Sequence, residues 1–200
     1  MRTIDPVAQA AKRRVILDAA AACFAAKGLH GTRTADICAR AGMSSGNVFH
    51  YFASKHAIVA ALVEREGVET AAALAELTAF ADPIAALFRL LDGAIAIAAD
   101  PAAASLALDL AAEALRDPEI GALCNRNDLD LRVATADLLR RARAADRVDP
   151  ALDPDDAATW VAALIDGLFS RVASDPAFDP AAQAANLRLM VTRFLRIDEA

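Results

Sequence analysis

The chain contains 200 residues, of which 56% are hydrophobic and 5% are aromatic. This composition excludes an intrinsically disordered protein, and the length allows one large domain or two small ones with a buried core. The three cysteines, Cys23, Cys38 and Cys124, show no paired spacing, which argues against a disulfide framework and against a zinc site. The sequence also lacks an apolar run of about 18 residues and a signal-like apolar core. We therefore expect a soluble cytoplasmic protein with no membrane partner.

Charge is distributed unevenly along the chain. Residues 1–55 hold eight lysines and arginines against three aspartates, whereas the whole chain has a formal net charge of −6. The remaining residues therefore carry a net charge of −11. A basic segment joined to an acidic one is typical of a nucleic-acid-binding domain attached to a second domain.

Aspartate–proline pairs divide the chain into predicted helices. All eight prolines follow an aspartate, and this pair suits a helix start, because aspartate caps the first turn and proline lacks a donor that has no partner there. No segment shows the period-two alternation of a strand. We predict an all-α fold of about nine helices, over residues 6–27, 34–41, 45–51, 54–80, 83–98, 101–116, 126–145, 154–173 and 180–197, with a short helical turn at 118–124.

Residues 34–51 have the spacing of a helix-turn-helix, in which the second helix enters the major groove of DNA. Gly42 suits the positive φ of the turn, and Ser44 suits the cap of the second helix. The short polar side chains of that helix fit base edges and phosphates, and Gly46 allows close backbone approach.

A longer pattern surrounds this motif. It consists of ILDAA at 16–20, Phe24, Gly28, DICARAGMSSGNVFHYF at 36–52 and Ser54-Lys55. The pattern resembles the DNA-binding region of the TetR family of bacterial transcriptional repressors. The resemblance implies base or backbone contacts to double-stranded DNA from Ser45, Gly46, Asn47 and His50, and phosphate contacts from Thr34, Tyr51 and Lys55. Phe49 stands where the family usually has tyrosine, so the phenol implied for one phosphate hydrogen bond is absent here, although the ring can still pack. Arg13 and Arg14 either support DNA binding or form a solvated helix face.

The last two predicted helices are strongly apolar, and Ala163 and Gly167 would let a second helix approach closely. The resemblance implies a two-fold homodimer in which the last two helices of each subunit form a four-helix bundle. The predicted interface residues are Trp160, Ala163, Leu164, Gly167, Leu187, Met190, Val191 and Phe194. Residues 164–169 together with Asp175-Pro176 resemble the C-terminal domain of the choline-responsive branch of the family, a resemblance from which we carry over no ligand.

An effector pocket is expected between the middle helices. Its candidate lining residues are Leu87, Leu91, Leu106, Leu110, Cys124 and Trp160, each of which has plain core packing as its alternative role. Asp109 and Glu113 interrupt an apolar helix, so they either meet a cationic ligand or form a solvated acid–base face with Arg116.

These features predict a helix-turn-helix DNA-binding domain over residues 1–55 and a helical regulatory and dimerisation domain over residues 56–200. The leading hypothesis is a repressor that binds a palindromic operator as a dimer and is released by a small-molecule effector. A ligand-independent architectural DNA-binding protein and a TetR-like activator are the alternatives. A helical enzyme is disfavoured, because His30, His50 and His56 lack metal-ligand spacing and no glycine-rich phosphate loop occurs. We predict no catalytic residue, metal or cofactor.

Overall fold

The computed structural model of the chain describes residues 6–197, and over that range it contains nine α-helices and no strand. This confirms the predicted all-α fold. The helices are α1 (Pro6–Gly31), α2 (Thr34–Ala41), α3 (Ser45–Tyr51), α4 (Lys55–Thr78), α5 (Pro83–Ala99), α6 (Pro101–Ala114), α7 (Pro118–Ala144), α8 (Pro154–Ser174) and α9 (Ala184–Leu195).

Aspartate–proline pairs start most of the helices, as predicted. Five of the prolines are the first residues of α1, α5, α6, α7 and α8. Asp82 shows the mechanism, since one carboxylate oxygen accepts the N–H groups of Ile84 and Ala85 at 2.8 and 3.2 Å. These bonds satisfy donors that have no partner inside the helix. The cap predicted at Asp5 lies outside the described residues.

Two predicted helix bounds were wrong. The predicted break near Cys124 is absent, because α7 runs without interruption from Pro118 to Ala144 and no proline stands at that point. The last helix begins at Ala184 rather than at Pro180, since the Asp179-Pro180 pair starts a turn in which the Asp179 carboxylate accepts the Ala181 N–H at 2.9 Å.

The chain forms two compact units. Unit 1 comprises the described residues up to Glu66 together with Ser105–Leu123, and unit 2 comprises Gly67–Ala104 together with the described residues from Cys124 onward. The boundary predicted after residue 55 thus falls inside unit 1, because the first turns of α4 and parts of α6 and α7 pack with α1–α3.

The core of unit 1 is built from α1–α4. Its fully buried side chains include Ile16, Phe24, Ile37, Val48 and Ile58, each contributing about 1.5–3 kcal/mol through the apolar area it removes from water. These five residues fix α2 and α3 against α1, so the core leaves the other side of α3 in solvent.

The core of unit 2 is built mainly from α5, α7, α8 and α9. Among its buried residues are Leu87, Leu91, Val161, Leu187 and Val191. No single helix within residues 6–197 is long and apolar enough to cross a membrane, and α5 and α6 reach that length and hydropathy only when taken together across a sharp bend.

Candidate functional site

The turn between α2 and α3 has the predicted geometry. Gly42 adopts φ 63° and ψ 32°, a left-handed conformation that glycine reaches without the Cβ penalty of other residues. The Ser44 hydroxyl oxygen then accepts the Asn47 N–H at 3.3 Å and caps α3. Val48 is fully buried and anchors the helix. One turn, one cap and one anchor therefore set the orientation of α3.

The outward side of α3 is polar and accessible. Ser45, Gly46, Asn47 and His50 are all exposed, and a Cβ added at Gly46 would meet no heavy atom within 4 Å. Phe49 is 48% exposed, an unusual position for a phenyl ring that has water as its neighbour. The predicted base-contacting residues thus share one free face of the short helix.

Arg13 supports the C-terminal end of α3 from α1. Its Nη1 donates a hydrogen bond of 2.9 Å to the Tyr51 carbonyl oxygen, and its guanidinium lies 4.2 Å from the centre of the Phe52 ring. The Tyr51 ring packs edge-on against His50, with ring centres 5.1 Å apart. These contacts give Arg13 a structural role that was not among the two considered for it, and a supporting role in DNA binding stays a prediction.

Lys55 makes an internal contact that the sequence pattern did not indicate. Its Nζ donates to the Leu29 and Thr32 carbonyl oxygens at 2.8 and 3.0 Å, where the positive charge faces the carbonyl end of α1. An ammonium group has three donors, so one N–H stays available for a phosphate. Thr34, the first residue of α2, is half-buried.

Asp36 ties the start of α2 to α1. Its carboxylate accepts the Lys27 ammonium at 2.7 Å and the Arg33 N–H at 2.8 Å. The hydrogen bond from Lys27 is the main reason that the pKa of Asp36 is lowered, and the Arg33 N–H adds to it.

Acidic side chains of α6 contact the helix-turn-helix region within unit 1. Gly28 has φ 73° and breaks α1 there, and the Asp109 carboxylate accepts the N–H of Leu29 at 2.9 Å. Glu113 Oε2 lies 3.3 Å from His30 Nε2. Neither carboxylate lines the α4–α5 cavity described below, and Glu113 borders only a small pocket of about 90 Å³ beside His30 and Lys55. Both carboxylates make contacts inside unit 1, so a role in binding a cationic ligand stays a prediction.

The start of α7 makes a similar contact with α4. His56 Nε2 lies 2.8 Å from Asp117 Oδ2. The backbone N–H of Ile120 is the largest cause of the lowered pKa of Asp117, and the N–H of Glu119 and the His56 ring lower this pKa further. For the Asp109 contact, one signal was visible in the sequence: a glycine break at Gly28 leaves the Leu29 N–H as a backbone donor that needs an acceptor.

Unit 2 contains an apolar cavity of about 440 Å³, here called the α4–α5 cavity. Its lining residues are Thr70, Ala73, Leu74, Glu76, Leu77, Phe80, Arg89, Leu90, Gly93, Ala94, Ile97, Leu131, Ile165 and Phe169.

None of the six predicted pocket residues lines the α4–α5 cavity. Leu87 and Leu91 lie on the buried side of α5. Leu106 and Leu110 belong to unit 1. Cys124 is half-buried, whereas Trp160 is 63% exposed. The predicted helix α5 does contribute to the cavity, but through its other face.

The outward face of α8 and α9 contains most of the predicted interface residues. Trp160 and Met190 are 63% and 50% exposed. Ala163 and Gly167 are exposed as well, and Leu164 and Phe194 are half-buried. A groove of about 250 Å³ between the two helices is lined by Ala163, Leu164, Gly167, Leu168, Arg171, Phe178, Gln183, Asn186, Leu187 and Met190.

One of the predicted interface residues is corrected by the structure. Val191 is 0% exposed, because it faces the core that α9 shares with α5 and α8. Leu187 is 2% exposed and packs in the same core, but it also borders the groove between α8 and α9, so its place in the interface stays a prediction. Within the described residues, no group of three or more histidine, cysteine, aspartate or glutamate side chains is arranged to hold a metal ion.

Comparisons with known proteins agree with this architecture. A model of the bacterial regulatory proteins of the tetR family matches residues 16–62, and a model of the C-terminal domain of BetI-type transcriptional repressors matches residues 83–196. The chain is 32% identical over 188 residues to the HTH-type transcriptional repressor Rv1474c of Mycobacterium tuberculosis, with 90% of this chain and 91% of the relative covered.

Solved structures share the fold. Salmonella enterica GusR matches 98% of this chain and 100% of its own, with a TM-score of 0.76 and 25% identity. A transcriptional regulator from Saccharomonospora viridis, solved in complex with choline, matches 95% of this chain and 100% of its own, with a TM-score of 0.81 and 24% identity.

The two family models match separate parts of the chain. The first spans the helix-turn-helix with its exposed polar helix, and the second spans α5–α9, which include the α5 side of the α4–α5 cavity and the outward face of α8 and α9. The relatives are transcriptional regulators and not enzymes, which removes the helical-enzyme alternative. The chain therefore belongs to the TetR family of bacterial transcriptional regulators.

Proposed function

We propose that this regulator is a repressor that binds a palindromic operator as a homodimer and is released by a small molecule in the α4–α5 cavity. The observation that carries the proposal is the free polar face of α3, which is anchored from behind and presents hydroxyl, amide and imidazole groups together. Such groups suit the edges of bases in the major groove.

DNA contacts are assigned by combining this exposure with the family resemblance. Ser45, Gly46, Asn47 and His50 are proposed to contact bases or the sugar–phosphate backbone. Thr34, Tyr51 and Lys55 are proposed to contact phosphates. Arg13 is not included among the phosphate contacts, because its guanidinium already contacts the end of α3. Lys55 would donate its remaining N–H to a phosphate while it fixes the end of α1.

Dimerisation is proposed to use the outward face of α8 and α9. The side chains that remain for this role after the correction above are Trp160, Ala163, Leu164, Gly167, Leu187, Met190 and Phe194. A large exposed indole beside small residues is typical of a surface that another protein covers. A dimer would place two copies of α3 on one palindrome.

Effector control is proposed to act through α4. This helix carries Lys55 in unit 1 and contributes Leu74 and Leu77 to the α4–α5 cavity in unit 2. A ligand that prefers one position of α4 would shift the DNA-binding equilibrium by its difference in affinity for the two positions. Two proteins of this fold support ligand control, one solved with choline and the Bacillus subtilis FadR solved with stearoyl-CoA.

The proposal is tested by selecting binding sites from random duplex DNA with the purified protein and sequencing the retained fragments. We expect an inverted repeat with half-sites at least about one helical turn apart. Enrichment without a common sequence would contradict specific repression and favour the architectural alternative. A reporter gene with the selected site overlapping its promoter then separates repression from activation.

A further inference from the structure

The α4–α5 cavity carries information about the chemistry of its ligand. Eleven of its 14 lining residues are apolar, and the three polar ones are Thr70, Glu76 and Arg89. A volume of about 440 Å³ is in the range that encloses most of a drug-sized molecule. The ligand that fits these walls is mainly hydrocarbon, so its affinity depends on apolar burial and its selectivity on a few polar groups.

Arg89 is held in place at this cavity by its neighbours. Its guanidinium lies 5.2 Å from the centre of the Phe80 ring, and both residues line the cavity. Arg141 in turn fixes the turn that carries Phe80, since its guanidinium donates to the Thr78 carbonyl oxygen at 2.6 Å and to the Phe80 carbonyl oxygen. The cation is therefore positioned before any ligand arrives.

Arg89 has no carboxylate partner within the described residues, and its contact there is with the Phe80 ring. Other arginines of unit 2 form ion pairs with a carboxylate of the same unit, such as Arg188 with Asp92 and Arg140 with Asp155. A guanidinium offers five donors in a planar fork that matches a carboxylate. Arg89 is exposed and thus presents unused guanidinium donors at the border between the apolar wall of the cavity and solvent.

The remaining polar groups restrict the ligand charge further. Glu76 also lines the cavity, and a second negative group on the ligand would be repelled by it. Quaternary ammonium ligands are typically held by a cage of aromatic faces, whereas the rings that line the cavity are two phenyl groups, those of Phe80 and Phe169. The Phe80 ring already faces a cation.

We infer that the effector of this protein is a mainly hydrocarbon molecule with a single carboxylate, whose head group binds Arg89 and whose hydrocarbon part fills the α4–α5 cavity. This inference rests on the proposed function for its biological meaning, but its chemistry is testable without DNA.

The test is calorimetric titration of the full-length protein with decanoate, 1-decanol, decanedioate and decyltrimethylammonium. Each ligand is kept below its solubility limit, and decanoate and decyltrimethylammonium are also kept below their critical micelle concentrations. We expect decanoate to bind most tightly, followed by 1-decanol, with the dianion and the cation at least about tenfold weaker than decanoate. Tighter binding of decyltrimethylammonium, or equal binding of decanedioate, would overturn the inference.

Variants at the cavity locate the interaction. Arg89→Met is expected to weaken decanoate binding by about tenfold and to leave 1-decanol within about twofold, whereas Arg89→Lys keeps part of the decanoate affinity. Arg193→Met, an exposed arginine on α9, is the control for net charge. Glu76→Gln is expected to leave decanoate binding unchanged or tighter. Unchanged decanoate binding by Arg89→Met would contradict the inference.

Gly93→Leu tests whether decanoate and 1-decanol bind inside the α4–α5 cavity. A Cβ at Gly93 would meet no heavy atom within 4 Å, so the new side chain fits into the cavity, and replacing a mid-helix glycine does not weaken α5. We expect it to weaken decanoate and 1-decanol alike. Unchanged binding of both would place the ligand elsewhere and overturn the inference.

The two proposals fail separately. Absence of decanoate binding to a protein that still selects a palindrome would refute the ligand class alone. Tight decanoate binding that does not release the protein from that palindrome would refute effector release and leave the binding site standing.

Discussion

The outer face of α3 and the outer face of α8 and α9 are both exposed, but their chemistry is opposite. The first presents Ser45, Asn47 and His50, whereas the second presents Trp160 and Met190. Polar groups at a free helix face match base edges and phosphates, and apolar ones match another protein surface. Exposure alone therefore does not assign a role to a helix face. The chemistry of the side chains at that face does.

The two faces are also supported by different forces. Both rest on apolar cores, but the helix-turn-helix is held in addition by long-range polar contacts, such as Arg13 with the Tyr51 carbonyl, Asp109 with the Leu29 N–H and His56 with Asp117. The α8–α9 face rests on buried apolar side chains of the unit 2 core. We therefore expect the first to respond to pH and the second to respond mainly to changes in side-chain volume and polarity.

The largest effect is expected from Val191→Asp. Val191 is 0% exposed, so a carboxylate there would be buried without a partner and would destabilise the fold by about 4 kcal/mol or more. Thermal unfolding followed by circular dichroism should show a greatly lowered midpoint or no folded protein. A midpoint close to that of the parent protein would mean that α9 packs differently.

The neighbouring substitution Met190→Asp is expected to keep the subunit folded but to abolish the dimer. Met190 is 50% exposed on the outward face, so the carboxylate stays solvated in a monomer but would be buried in a dimer interface. Sedimentation should then give the monomer mass with an unfolding transition typical of a folded chain. Leu189→Asp, also exposed on α9, serves as a control for charge, and an intact Met190→Asp dimer would place the interface elsewhere.

Asn47→Ala tests the polar face at the level of sequence recognition. Loss of one base-contacting amide should weaken binding to the selected site by about 1–3 kcal/mol and leave binding to unrelated duplex nearly unchanged. Titration of both duplexes by fluorescence anisotropy measures the difference. Thr159→Ala on α8 is the matched control, and equal losses on both duplexes would mean that Asn47 contacts phosphate instead.

Phe49→Tyr is expected to raise the affinity for duplex DNA slightly. Phe49 is 48% exposed on α3, and a phenol at that position would restore the phosphate hydrogen bond implied by the family resemblance. Affinity for all duplexes should rise about threefold at constant salt. Because tyrosine adds no charge, the slope of affinity against salt should stay the same. An unchanged affinity would show that residue 49 does not reach the DNA backbone.

The smallest effect concerns acid stability. The pKa of Asp117 is lowered by the Ile120 and Glu119 N–H groups and by His56, so its ionised form stabilises the folded state above the ordinary carboxyl pKa. This contribution is lost as the pH falls through the lowered value. The difference in unfolding midpoint between the parent protein and Asp117→Asn should therefore be present at neutral pH and shrink on acidification. A pH-independent difference would contradict this assignment.

Features that depend on neighbouring residues were predictable from the sequence. The left-handed Gly42, the Ser44 cap and the glycine break at Gly28 each follow from the conformational preference of one residue in its local context. These features set the helix-turn-helix and hence the exposed side of α3. The continuous α7 is the local exception, because a helix without a proline or glycine break has no residue that forces it to end.

Features that depend on distant residues were not predictable. The Asp109–Leu29 hydrogen bond joins residues 80 positions apart, and nothing in helical periodicity pairs them. Periodicity showed that α9 has an apolar stripe, but the packing of α5 and α8 decides that Val191 is internal and Met190 external. The same holds for α5, where Leu91 enters the core and Arg89 faces the α4–α5 cavity.

The most direct test of the central claim, that one face binds DNA and the other pairs two chains, is native mass spectrometry of the protein with its selected duplex. We expect two chains per full palindrome for the parent protein and for Asn47→Ala at concentrations high enough to bind. Met190→Asp should give complexes with a single chain at low occupancy. Two chains cooperatively bound by Met190→Asp, or one chain bound by the parent protein, would contradict the division of roles between the two faces.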